Sequence, residues 1–127
     1  MLNRLLLFVI CCTVAFSAQA ADIQVVDVTI TSAIENRMPV DTVEVYPADY
    51  GKLYCFTRIV GADRETQVSH VWFYEDQEMA RVTLPVQSAD WRTFSSKRFL
   101  PQWTGQWSVV IEDEQGTSLA EVMFRLE

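Results

Sequence analysis

Beyond its first twenty residues, the chain repeats apolar and polar side chains with a period of two, which suits a half-buried strand and not a helix. Val26, Val28 and Ile30 alternate with Asp27, Thr29 and Thr31. Residues 53–60 are rich in aromatic and β-branched side chains. In residues 67–74, His70, Trp72 and Tyr74 fall on one face, and Val71 and Phe73 on the other. A tight turn at 75–77 leads into residues 79–86, where Ala80, Val82, Leu84 and Val86 share a face. These two segments are expected to form a hairpin. Trp107, Val109 and Ile111 follow Gly105. A turn at 113–116 then leads to Ala120, Val122, Phe124 and Leu126, a second expected pair of strands. Residues 43–46 read as a short strand, 34–40 as a connecting loop, and 91–99 as strand or irregular chain.

Seven to eight closely spaced strands, with no capped 3.6-residue pattern, predict an all-β domain. Irregular strand lengths favour a single antiparallel β-sandwich of the immunoglobulin-like kind over a closed barrel. Trp72 is placed as the core tryptophan. The paired cysteines of true immunoglobulin domains are absent.

Residues 1–20 read as a cleavable signal peptide. Arg4 supplies the positive start, 5–16 the apolar run, and Ala18-Gln19-Ala20 the small-residue cleavage site. The run is shorter than the roughly 20 residues needed to span a bilayer. The domain proper is then 21–127, expected to be periplasmic or secreted, with no integral membrane segment after cleavage. The 127 residues less the twenty of the leader leave 107, enough for one core. Cys11 and Cys12 leave with the leader. Cys55 remains alone, expected to be a buried small hydrophobe, so burial must hold the fold without a disulfide.

Of the ten basic residues, Arg4 also leaves, so nine oppose seventeen acidic ones, a net charge of −8. That charge disfavours nucleic acid and anionic lipid surfaces as partners. One histidine and one cysteine are too few for a zinc or copper site, and the acidic turn at 112–114 lacks calcium-loop spacing. No metal or other cofactor is expected. Ser95 and Ser96 with His70 are the sole material for a nucleophilic dyad. No G-x-S-x-G elbow is present, so no enzymatic activity is expected.

The constellation that stands out is aromatic and basic. Trp91, Arg92, Ser95, Ser96 and Lys97 lie close together in the chain. Glu35 and Arg37 sit on a predicted loop, His70 on a predicted strand, and Trp103 beyond the basic segment. Arginine forks suit carboxylate or phosphate groups, and aromatic faces suit sugars and cations. The competing reading makes the same residues scaffold, with Arg92 stacked on Trp91 or Trp107 and paired with Glu35, and His70 bonded to Ser95 or Ser96.

Four stretches together resemble a bacterial family known as domain of unknown function 2914. They are Ile34-Glu35-Asn36-Arg37-Met38-Pro39-Val40-Asp41, His70-Val71-Trp72-Phe73-Tyr74, Trp91-Arg92-Thr93-Phe94-Ser95-Ser96-Lys97, and Gly105-Gln106-Trp107 with Asp113 and Gly116. Met38 departs from the acidic residue expected there. The resemblance implies a bacterial envelope setting and supplies no activity. The expected function is therefore an exported envelope binding or interaction module. Its partner would be an envelope protein or an anionic envelope polymer, such as an anionic glycan, peptidoglycan or an acidic peptide. The alternatives are an assembly subunit that pairs by a sheet edge and, last, a small hydrolase.

Overall fold

The computed structural model describes Cys12 and residues 22–127, so the expected leader lies outside the described residues except for Cys12. Seven long strands carry the fold: β1 (Gln24–Thr31), β5 (Lys52–Val60), β6 (Thr66–Tyr74), β7 (Gln77–Val86), β8 (Asp90–Arg98), β9 (Gly105–Glu112) and β10 (Ser118–Leu126). Three two-residue strands lie between β1 and β5: β2 (Ile34–Glu35), β3 (Met38–Pro39) and β4 (Val45–Tyr46). A 3-10 turn covers Ala48–Tyr50.

The long strands form two sheets. One has the order β1-β5-β8, the other β4-β10-β9-β6-β7, and β2 pairs with β3. The chain crosses between sheets from β5 to β6, from β7 to β8 and from β8 to β9. The hairpins β6–β7 and β9–β10 stay within the larger sheet. This is the Greek-key weave of an immunoglobulin-like sandwich. All long-strand pairings are antiparallel, whereas β4 lies parallel to β10.

Alternation decides what lies between the sheets. Ile30, Leu53, Cys55 and Ile59 from the small sheet meet Val68, Trp72, Trp107, Val109, Ile111, Phe124 and Leu126 from the large one. Trp72 and Trp107 are wholly buried. Trp72 meets Phe124 edge-on at 6.1 Å, and Phe99 meets Trp107 edge-on at 4.8 Å. Each large ring removes roughly 200 Å² from water, worth on the order of 5 kcal/mol before ordering entropy is subtracted. Cys55 is buried in this layer with no disulfide partner among the described residues.

Two expectations need correction, and one open reading is resolved. Val26 does not point inward. The register between β1 and β5 shifts between Val25 and Asp27, so Val26 is the extra residue of a β-bulge and is 52% exposed. Val25 packs against the core, and Val28 and Ile30 keep their inward positions after the bulge. Residues 34–40 are not a plain loop. Ile34 pairs with Pro39 and Glu35 with Met38, around Asn36 (φ 50°) and Arg37 (φ 60°). Positive φ at both central residues makes a tight two-residue hairpin whose twist suits strand pairing. Of the two readings of residues 91–99, strand or irregular chain, the strand holds. β8 pairs with β5 without a break from Lys52↔Arg98 to Val60↔Asp90.

Candidate functional site

β8 is the strand on which most of the singled-out residues fall, and its parity sorts them. Ser95 lies on the inward row and is buried. Arg92, Phe94, Ser96 and Arg98 alternate with it and share the outward row with Tyr54, Phe56 and Arg58 of β5.

The inward row enters a closed polar network. Trp72 Nε1 donates to Ser95 Oγ at 3.2 Å, and Ser95 Oγ lies 2.7 Å from His70 Nδ1. His70 Nε2 lies 3.1 Å from Thr57 Oγ1, which reaches the Thr93 carbonyl at 3.4 Å. An indole N–H can only donate and a carbonyl can only accept, so one direction satisfies every member. Ser95 donates to Nδ1, the Nε2–H donates to Thr57, and Thr57 donates to Thr93. His70 is thus neutral with its proton on Nε2. A second ring proton would leave the Ser95 hydroxyl proton without an acceptor. Burial also opposes the charged form and pushes the His70 pKa down to about 4. Among the described residues no buried side-chain nitrogen or oxygen lacks a partner.

The outward row opens on a groove of about 630 Å³. Val26 and Asp27 of β1, Met38 of β3, Phe56 and Arg58 of β5, and Asp90 and Arg92 of β8 line it. The bulge on β1 supplies Val26. The β2–β3 hairpin supplies Met38 and is tied at its base by Asp41. Thr31 Oγ1 and the Ser32 N–H donate to Asp41 Oδ1 at 2.7 and 2.8 Å, and the Ser32 hydroxyl donates to Oδ2. These donors, the Ser32 hydroxyl foremost, hold the Asp41 carboxyl below the ordinary carboxylate range.

Arg58 and Arg92 are directly opposite in the β5–β8 register, where like charges repel. Arg58 is forked onto Asp90, with Nε–Oδ1 at 2.9 Å and Nη2–Oδ2 at 2.7 Å. That fork raises the Arg58 pKa and lowers that of Asp90. Asp27 accepts from Thr29 Oγ1 at 2.7 Å. Among the described residues, the Arg92 side chain makes no hydrogen bond or ion pair. It lines the groove, near enough to Asp90 to help lower that carboxyl's pKa.

The other singled-out residues are spread over the molecule. Arg37, on the hairpin, lies 5.5 Å over the Trp91 ring and donates from Nη2 to the Arg92 carbonyl at 3.3 Å. It therefore sits beside Arg92. Glu35 is exposed and makes no ion pair with Arg92, and Arg37 takes the place over Trp91 that the scaffold reading gives to Arg92. Lys97 stands 4.9 Å over Trp103 and donates to the Arg98 carbonyl at 2.9 Å. Loss of water around it lowers its pKa. Five residues of strand, about 17 Å, separate Lys97 from Arg92. His70 and Ser95 are inside, and Ser96 lies outward opposite Tyr54. The structure thus unites Arg37, Trp91 and Arg92, and separates them from the Lys97–Trp103 pair and from the buried His70–Ser95 pair. Reading along the chain missed Phe56, Arg58, Asp90, Asp27 and Met38 as groove residues. The parity of 53–60, with Phe56 and Arg58 opposite Cys55, Thr57 and Ile59, was the available signal for two of them.

No three His, Cys, Asp or Glu side chains converge as a metal site among the described residues. No helix among them is long and apolar enough to cross a membrane.

Fold and groove together define an immunoglobulin-like β-sandwich with a mixed-charge cleft on the outer face of its smaller sheet. Residues 65–126 match a family model described as Protein of unknown function (DUF2914). The matched segment runs from β6 to β10 and supports assignment to that family. The chain matches no curated protein.

Proposed function

We propose that this domain is an exported cell-envelope binding module that holds a carboxylate- or phosphate-bearing ligand in the groove beneath the β2–β3 hairpin. The single observation that carries the reading is Arg92. Its guanidinium lines the groove without a side-chain partner among the described residues, next to Phe56 and Met38. An anion would accept a forked pair of hydrogen bonds from Arg92 and relieve its repulsion from Arg58. Val26 and Met38, both exposed, would cover the apolar part of the ligand, above the buried Phe56. The volume falls within the 300–1,000 Å³ or so common for small-ligand sites. Arg37, beside Trp91 and the Arg92 backbone, would close over the entrance.

Export rests on the leader-like residues 1–20, and with it an anionic envelope polymer or envelope protein as partner. Catalysis has weaker support. Ser95 and His70 are in hydrogen-bond reach of each other, but both are buried and neither lines the groove.

The test is titration of the isotope-labelled domain with carboxylate-bearing peptidoglycan fragments, followed by amide shifts. Binding should move the Phe56, Arg58 and Arg92 signals and fall at least tenfold in Arg92→Ala. It should persist in Arg98→Ala, six residues along the same row. Equal affinity in all three proteins would remove the groove as the site.

A further inference from the structure

A sandwich that is not closed has four edge strands, here β1, β8, β4 and β7. Edges left open invite pairing, and folds block them with bulges, prolines, short strands or charge. β1 carries the bulge at Val26. β7 carries a second bulge, where the register with β6 skips Met79, and holds Pro85. β4 has two residues. Of the four edges among the described residues, only β8 keeps nine residues in unbroken register, with neither proline nor bulge.

Its main-chain groups can be followed one by one. The Phe99 N–H donates to the Gly51 carbonyl, and the Ala89 carbonyl accepts from the Gly61 N–H, so odd-numbered residues at both ends of the strand face β5. Even-numbered residues face outward from the sheet edge, because both polar groups of a residue in an antiparallel ladder point the same way. Three of the outward carbonyls are taken by side chains: Asp90 by Ser88 Oγ, Arg92 by Arg37 and Arg98 by Lys97. Phe94 and Ser96, in the middle, have no partner for N–H or C=O on this edge among the described residues. Phe94 is also 44% exposed.

We propose that the β8 edge receives an acidic, extended segment of a partner protein as an added strand, in register with Phe94 and Ser96. The charge around the edge selects the partner. Arg92, Lys97 and Arg98 lie on β8 and Arg37 beside it, in a chain of net charge −7. A second copy would bring these cations against one another. A partner strand with acidic side chains at alternate positions would set them along the outward row, beside Arg92 and Arg98, with its apolar side chains on the opposite face. This goes beyond the groove reading and shares Arg92 and Arg37 with it.

The experiment uses a nine-residue peptide of alternating glutamate and valine, with two controls: the same peptide N-methylated at alternate amides, and a lysine–valine counterpart. The glutamate peptide should bind and slow amide exchange at Phe94 and Ser96 at least tenfold. N-methylation should weaken binding at least tenfold, and the lysine peptide should not bind. Phe94→Pro removes an N–H that β5 does not use, so it should abolish peptide binding and leave binding of peptidoglycan fragments intact. Equal binding of the N-methylated peptide, or unaltered exchange at Phe94 and Ser96, would overturn the proposal. So would exchange protection that rises with protein concentration alone, which would assign the edge to a second copy. Fragment binding without peptide binding overturns this inference and leaves the groove standing; the converse overturns the groove alone.

Discussion

The two rows of β8 share one backbone and behave oppositely. The inward row ends in Ser95, which is tied to His70 and Trp72 so that every donor meets an acceptor. The outward row carries Arg92, whose donors meet none among the described residues, in a cleft that Arg58 and Asp90 already share. A fully satisfied polar network specifies a unique core. An unsatisfied cation beside apolar surface is an invitation to a ligand. The same pairing of serine and histidine that would suggest chemistry at the surface acts inside as a fastener between the two sheets.

The contrast can be broken from either side. The largest effect is expected from Ser95→Ala. It orphans His70 Nδ1 and Trp72 Nε1 together, at roughly 2 kcal/mol each, so urea unfolding should report a loss of about 4 kcal/mol. Acid acts on the same network. His70 titrates near 4 when folded and near 6.5 when unfolded, so between those values the unfolded chain binds more protons. Its contribution is complete above about pH 6.5 and is lost as the pH falls toward 4. The loss is up to about 3 kcal/mol, with no further change from this group below pH 4. Stability measured against pH should show this slope, and His70→Gln should lack it.

On the outer side the effects shrink. Arg37→Gly relieves a left-handed residue at about 1 kcal/mol and gives up an exposed cation–π contact and a hydrogen bond to the Arg92 carbonyl, each worth about half that. A thermal melt should therefore show a net change of no more than about 0.5 kcal/mol, while ligand release becomes faster. Arg92→Ala should move the urea midpoint by less than about 0.5 kcal/mol and still cost at least tenfold in fragment affinity. A large stability loss in Arg92→Ala would mean that Arg92 is scaffold after all, and the contrast between the rows would vanish.

Much of the architecture is written in local pattern. The alternation in β6, β7, β9 and β10 needs only neighbours in sequence, and Trp72 and Cys55 are inside where that alternation puts them. Val26 fails because a bulge adds one residue and reverses parity for a single position. The β2–β3 hairpin is hidden because Arg37 holds a positive φ that side chains of its kind rarely adopt. The groove is non-local. Arg58 and Arg92 lie more than thirty positions apart in the chain and meet through the β5–β8 register, and Met38 arrives from a hairpin that propensity alone reads as loop. Grouping Arg92 with Lys97 follows closeness in the chain, whereas strand parity already places them on opposite rows.

Cys55 occupies the core of β5 with no cysteine facing it from β9, and burial pushes its thiol pKa far up. The sulfur is thereby held as an inert thiol, reluctant to form the thiolate that oxidants and disulfides attack. Among the described residues, no disulfide holds this domain together. Reducing agents should leave its melting temperature where it was, and the redox poise of its surroundings has no handle on whether it is folded.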